Sequence, residues 1–241
     1  MFAALFRPRL TILPADPGLA ASPGSAPKLE RAGSYSGTMN ADARLPRVEV
    51  HPATVDRFDD LTAVLAARKP ATAACWCLSY RVPGPEFRTL AGNERPARLR
   101  RFAEDGVPPG VIAYVDGVPA GWCSVSPRAS HSRLAHSRTI PAVDELPVWS
   151  IVCLVIRPEF RRRGLAYQLL DGAAGYARSQ GAPALKAYPA DAAGERLSAA
   201  FAYTGTTELF EAAGFQRILP TASSTGGKTR WLMRLALNPP T

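Results

Sequence analysis

The sequence predicts a mixed α/β layered fold in one domain, and three observations carry that prediction. From Arg47 onward, strand and helix patterns follow one another in the order β-α-α-β-β-β-α-β-α-β-β. The dipeptide Asp116-Gly117 joins two apolar-rich runs, as in a tight hairpin. The run Val148 to Ile156 is almost unbroken in apolar residues, the pattern of a strand covered on both faces, and it leads within a short loop into an amphipathic helix.

Each element has its own signal. Val48-Glu49-Val50 alternates as a short strand. Thr54 is the expected N-cap of a first helix with Asp56 in its first turn. Val55, Phe58, Leu61, Val64 and Leu65 share one face, Arg68 and Lys69 lie at the C-terminal end where the dipole favours cations, and Pro70 stops it. A loop follows with the cluster Cys75-Trp76-Cys77-Leu78-Ser79-Tyr80-Arg81, and Asn93 to Asp105 reads as an Arg-rich helix ended by Gly106. Val111–Val115 and Val118–Ser126 form the hairpin strands. Residues 127–146 read as irregular and polar, so His131 and His136, candidate bases near neutral pH, are expected instead to be solvated surface histidines. Pro158 ends the apolar strand. The next helix starts near Gly164 with Ala166, Leu169, Leu170, Ala173 and Ala177 on one stripe. Ala184–Tyr188 is a strand, Thr206–Ala213 a helix closed by Gly214, and Gln216–Ile218 and Arg230–Leu237 are terminal strands.

Composition narrows the function classes. The chain has 241 residues, 46% of them apolar and 20% charged, which excludes a wholly disordered chain and a disulfide mini-protein. Residues 1–45 are rich in Pro, Gly, Ser and Ala without period and read as a flexible tail, with 46–241 as a single domain. Met39 lies just before the first strand, so an over-extended start is an alternative for residues 1–38. No stretch approaches the roughly 18 apolar residues of a membrane span, and Arg7 and Arg9 break up the apolar start that a secretory signal needs. Four cysteines, Cys75, Cys77, Cys123 and Cys153, lack metal-ligand spacing, so no metal is expected. Reduced thiols fit a cytoplasmic protein. The formal charge of +9 invites a nucleic-acid partner, but apart from Arg161-Arg162-Arg163 the basic residues are scattered, and a local anionic small molecule explains that cluster more economically.

The passage from Trp149 to Ala166 carries the chemistry. A buried strand runs into a loop and the loop into a helix, so the N–H groups of Arg162, Arg163, Gly164, Leu165 and Ala166 can converge at the positive end of the helix dipole. Gly164 allows close approach of a ligand, and Arg161, Arg162 and Arg163 add full charges. Together they form an anion cradle sized for a phosphate or pyrophosphate. Arg161-x-x-Gly164-x-Ala166, preceded by Leu154-x-Ile156-x-Pro158 and followed by Glu211-x-x-Gly214-Phe215, resembles the signature of the GCN5-related N-acetyltransferase (GNAT) superfamily.

That resemblance implies a mostly antiparallel mixed sheet of about six to seven strands with about four helices and splayed central strands, in a cytoplasmic enzyme. It implies acetyl-CoA as co-substrate, with the backbone of Leu154, Val155 and Ile156 pairing with the pantetheine arm and the amides of Arg162 to Ala166 holding the diphosphate. An N–H near Leu154 would polarise the thioester carbonyl while an acceptor amine, of a small molecule or peptide, attacks directly. Dimers are common among the proteins it resembles. Three positions depart from the pattern. Phe210 stands where many members have a tyrosine acid, Ser150 where many have an acidic base, and Tyr203, after a longer loop, where an asparagine often precedes the last helix. Tyr203 is the candidate displaced acid, set against a packing role. Cys153 is a thiol that could face the thioester, against a buried structural one. Trp76, Tyr80 and Arg81 are the candidate acceptor wall, the rings stacking and the guanidinium binding a carboxylate. The alternative is that the rings fill the gap between helix and sheet. Rival functions are a non-catalytic acyl-CoA-binding or regulatory module on the same scaffold and a basic nucleic-acid-associated protein.

Overall fold

A computed structural model describes residues 46–66, 74–198 and 200–237. The tail 1–45 and the helix-stop residues Arg68, Lys69 and Pro70 lie outside the described residues. Seven strands form one sheet: β1 (Val48–Pro52), β2 (Gly110–Val115), β3 (Val118–Pro127), β4 (Trp149–Ile156), β5 (Ala184–Ala187), β6 (Gln216–Thr225) and β7 (Lys228–Ala236). Their order is β1-β2-β3-β4-β5-β7-β6, and every neighbouring pair is antiparallel except β4 with β5. This is the predicted mixed, mostly antiparallel α/β fold.

The hairpin forms where the sequence put it. Asp116 (φ 50°) and Gly117 (φ 80°) both take left-handed geometry, as a two-residue turn matched to strand twist requires. The same aspartate anchors the sheet edge, because its Oδ1 accepts the Arg47 N–H at 2.9 Å beside β1. At the other edge β6 runs to Thr225, well past the expected Ile218, and turns into β7 through Gly226 and Gly227. Pro220 sits inside it, which an edge strand tolerates because it need not donate on its open side.

Seven α-helices are present among the described residues, against about four expected. They are α1 (Phe58–Leu65), α2 (Leu78–Arg81), α3 (Gly84–Thr89), α4 (Arg95–Glu104), α5 (Ser132–Ala135), α6 (Leu165–Ser179) and α7 (Thr207–Ala212). The surplus is α2, α3 and α5, of four to six residues each, too short to show a helical period. Thr54 precedes the first helical turn but makes no side-chain capping bond.

The sheet separates two cores. On one face α6 packs Leu165, Leu169, Leu170 and Ala173 against Val111, Ala113 and Leu154, with Phe210 and Phe215 closing the end. On the other, α1, the segment before α2 and the start of α2 pack Phe58, Leu61, Trp76 and Leu78 against Trp122, Val152, Cys153 and Tyr188. The rings of Phe58 and Trp76 stack there, 6.2 Å apart and within 9° of parallel.

The central strands part company. β4 and β5 are in register only at Trp149, Ser150 and Ile151, against Leu185, Lys186 and Ala187. Past Ala187 the chain leaves β4, and Ala190 bridges instead to Thr206 and Arg230. A bulge in the β3–β4 ladder, between Ser124 and Val125, bends β4 at the same level. The result is a split in the sheet with the Val152–Ile156 half of β4 along one side.

Candidate functional site

One wall of the split is backbone. The Arg157 N–H donates to the Ala120 carbonyl at 2.9 Å, so the residues of β4 that pair with β3 are Arg157 and its alternates. Leu154 and Ile156, between them, turn their N–H and C=O groups away from β3 and toward the split. The Ile156 carbonyl accepts the Arg161 Nε at 2.8 Å, which ties the following loop to the end of the strand.

That loop is built to expose amides. Pro158–Phe160 make one tight helical turn, and Arg157 is held by a donated bond to the Pro119 carbonyl (2.8 Å) and an ion pair with Glu159 (2.6 Å). Arg162 (φ 58°) and Gly164 (φ 77°) are left-handed, the second a conformation that costs a residue with a side chain about 1–2 kcal/mol. The first closing bond of α6 runs from the Tyr167 N–H to the Gly164 carbonyl at 3.0 Å, so the amides before it point out of the helix start. A Cβ placed on Gly164 meets no atom within 4 Å, and Arg161, Arg162 and Arg163 are all exposed around it. Amides, helix dipole and three cations suit a diphosphate, and the free edge of β4 suits an amide-bearing arm.

Where the split meets the second core there is a cleft of about 430 Å³. Trp76, Tyr80 and Tyr203, predicted separately from distant stretches of sequence, line it together with Val152, Cys153 and Val155 of β4. Trp76 and Cys77 reach their places through left-handed backbone (φ 53° each) just before α2. A second cavity of about 230 Å³ shares Ser79, Tyr80 and Tyr203 and adds Arg133, Thr139 and Ser223. Tyr203 therefore stands in the wall of both. It sits on the short turn Ala202–Thr204, partly buried. Burial raises its hydroxyl above the ordinary pKa, Tyr80 adds to this, and Arg230 opposes it.

Arg81 is not brought to this wall. It is buried, 3% exposed, and donates to Ser126 Oγ and Ser124 Oγ at 3.0 Å each and to the Pro109 carbonyl. It lines a separate crevice of about 190 Å³ with Phe102 and Ser126. Two other cations stand at the acceptor wall. Arg133 of α5 lines the second cavity. Arg230 of β7, which the sequence marks only as the start of a strand, lies behind Tyr80. It is 3% exposed, donates Nε to the Tyr188 carbonyl at 2.7 Å and Nη1 to the Tyr80 hydroxyl, and lies 5.6 Å from the Tyr80 ring.

Two of the departures from the family pattern, Ser150 and Phe210, are buried. Ser150 Oγ shares a 3.0 Å hydrogen bond with the Tyr188 hydroxyl, a partner that lies 38 residues away in sequence. Phe210 packs edge-on against Phe215, centroids 5.0 Å apart. Cys77 and Cys123 are buried, and neighbouring thiols and burial push the Cys75, Cys77 and Cys123 thiols well up, which leaves them protonated at neutral pH. His131 corrects the sequence expectation. It is fully buried, with Nδ1 3.3 Å from the Pro127 carbonyl and Nε2 3.5 Å from Ser126 Oγ, because α5 folds its loop onto the second core through Leu134. His136 is exposed, as expected. No group of three metal-ligating side chains occurs among the described residues, and no helix among them is long and apolar enough to cross a membrane.

Comparison with known proteins gives a family and a set of structural neighbours. A family model described as the acetyltransferase (GNAT) family matches residues 77–201, just over half of the chain. No curated protein sequence matches. Among solved structures, YncA from Salmonella typhimurium, a putative acetyltransferase with its cofactor acetyl-CoA, is 17% identical with a TM-score of 0.47, over 79% of this chain and 94% of that one. A polyamine N-acetyltransferase of Drosophila melanogaster is 14% identical with a TM-score of 0.48, over 79% and 100%. An N-acetyltransferase from Staphylococcus aureus is 13% identical with a TM-score of 0.48, over 80% and 99%.

Proposed function

Since the chain belongs to the GNAT acetyltransferase family, we propose that it moves the acetyl group of acetyl-CoA to the amine of a small-molecule or peptide acceptor, by direct attack and without an acyl-enzyme. The observation that carries this is the conjunction of the split between β4 and β5 with the left-handed amide loop at its end. Acetyl-CoA supplies the activated thioester. The amides of Arg162 to Ala166, with the charges of Arg161, Arg162 and Arg163, hold its diphosphate, and the backbone of Leu154, Val155 and Ile156 guides the arm. An N–H on the open edge of β4 at Leu154 stabilises the carbonyl oxygen as charge develops, an oxyanion contribution worth about 3–4 kcal/mol where it has been removed in other enzymes. Tyr203, in the cleft wall beside Cys153, is the group that returns a proton to the leaving thiolate. Trp76 and Tyr80 form the acceptor side. The activity is assigned to residues 46–241, and four free cysteines suit the reducing cytoplasm where acetyl-CoA is supplied.

The experiment is a paired one on the full chain. Acetyl-CoA is expected to raise the melting temperature by several degrees through mass action, and free thiol is expected to appear with at least one acceptor in a panel of amines, peptides and aminoglycosides. Gly164→Trp is expected to abolish the stabilisation with the far-ultraviolet spectrum unchanged. A chain that acetyl-CoA does not stabilise overturns the assignment. The burial of Phe210 and Ser150 favours one second reading, a non-catalytic acyl-CoA-binding module. Stabilisation without thiol release across the panel selects it.

A further inference from the structure

The charge around the acceptor side is one-sided. Among the described residues that line the cavities on either side of Tyr80 and Tyr203 there is no aspartate or glutamate. Arg133 stands in the wall, its Nη1 3.4 Å from the Ser79 carbonyl, and Arg230 stands behind Tyr80 with a backbone carbonyl and the Tyr80 hydroxyl as partners. Among the described residues neither guanidinium has a carboxylate within ion-pair distance. Hydroxyls from Ser79, Thr139 and Ser223 complete the wall around Arg133.

Two consequences follow for an amine that must react here. An acceptor whose only charge is cationic gains nothing from this wall and is repelled by it. An acceptor that also carries an anion gains a charge-assisted hydrogen bond from a guanidinium whose present partner is a carbonyl. The same cations push an ammonium toward the free amine that attacks, which suits a site where Ser150 holds the place of an acidic base.

We infer that the acceptor is an amine that also bears a carboxylate, as an amino acid or peptide does, with Arg133 binding the carboxylate and Arg230 supporting it from behind Tyr80. This rests on the acetyltransferase function proposed above. It is tested by isothermal titration of the full chain saturated with coenzyme A, so that no turnover intervenes. The probes are phenylalanine, tyrosine, tryptophan, leucine and lysine, each against the amine left on its decarboxylation. At least one acid is expected to bind about tenfold tighter than its amine. Arg133→Met is expected to remove that preference by weakening the acid without weakening its amine, and to leave the stabilisation by acetyl-CoA unchanged. If no acid outbinds its amine, whether both bind alike or neither binds, the inference falls and the acetyltransferase function stands on its own test. Preference that persists undiminished in Arg133→Met overturns the residue assignment. A chain that acetyl-CoA fails to stabilise loses both.

Discussion

Among the described residues of the cleft that holds Cys153 and Val155 of β4 there are two phenols, Tyr203 and Tyr80, both partly buried, and the role of Tyr203 divides from that of its neighbours by chemistry. The indole N–H of Trp76 is far too weak an acid to protonate a thiolate, and Tyr80 is held against Arg230, which donates to its hydroxyl and lies by its ring. Burial, with Tyr80 adding to it, keeps the Tyr203 phenol protonated beyond its ordinary range, while Arg230 and a hydrogen bond with Thr225 oppose this. A phenol acts as an acid only while protonated, so raising its pKa moves the loss of activity upward. The kcat of the wild-type chain is therefore expected to stay level through neutral pH and to fall only above about pH 10. Tyr203→Phe keeps the ring and is expected to lower kcat by about 100-fold, to erase the alkaline fall, and to leave stabilisation by acetyl-CoA intact. A variant with the wild-type pH profile would show that another group delivers the proton. Single-residue signals explain what was readable at this scale. Tyr203 and Trp76 stand out as large aromatic residues beside loops, whereas Arg230 does not, because nothing in a strand sequence tells which long-range partner a guanidinium will meet. His131 misled for the same reason, since a polar loop gives no local sign of being folded onto a core.

Within elements, α6 shows how space decides the sign of a substitution. Glycine in a helix interior costs about 0.5–1 kcal/mol relative to alanine, and α6 contains two of them, Gly172 and Gly175. A Cβ on Gly172 would stand 2.4 to 2.8 Å from the side chain of Val50 on β1, whereas a Cβ on Gly175 meets nothing within 4 Å. Gly175→Ala is therefore expected to stabilise by about 0.5–1 kcal/mol. Gly172→Ala is expected to destabilise by about 1–3 kcal/mol through overpacking, and Val50→Ala in the same chain should recover part of the loss. Urea midpoints of the three variants check this, and a stabilising Gly172→Ala would mean that helix and strand separate without cost. Elements with strong local patterns were legible: the Asp116-Gly117 hairpin, the apolar β4 and the striped α6 each form as read. Those set by tertiary context were not. The four-residue α2 follows two left-handed residues, Trp76 and Cys77, that no propensity favours, and Pro220 hides the long edge strand β6 from any pattern of alternation.

At the scale of the whole molecule, an excess of cations is folded into the interior as well as spread over the surface. The chain carries 29 Lys and Arg against 20 Asp and Glu, and Arg81, Arg230 and Lys186 are all buried. Lys186 is neutralised by Asp144 at 2.8 Å, whereas Arg81 is held by hydroxyls and a carbonyl. His131 lies in that field. Burial first, then the charge of Arg81, holds its pKa well below the ordinary 6.5, with the Pro127 carbonyl pulling weakly the other way and Arg128 adding to the depression. A buried base kept neutral binds its proton late in the folded state and at its ordinary pKa in the unfolded one. Stability is then fully present above about pH 6.5 and is lost as the pH falls from there toward the folded pKa, at up to about 1.4 kcal/mol per pH unit for one proton. Carboxylates such as Asp144, where Lys186 and Arg234 outweigh the effect of burial and hold the pKa low, contribute their own loss only below about pH 4. Unfolding free energies from urea titrations at pH 7.5, 6.5, 5.5 and 4.5 are expected to decline below 6.5 in the wild-type chain. In His131→Asn they are expected to stay level down to the carboxylate range, whatever the absolute stability of the variant. Because the slope counts protons, it separates a titrating buried imidazole from a simple loss of packing, and a variant with the wild-type slope would move the acid sensitivity of this fold to another group.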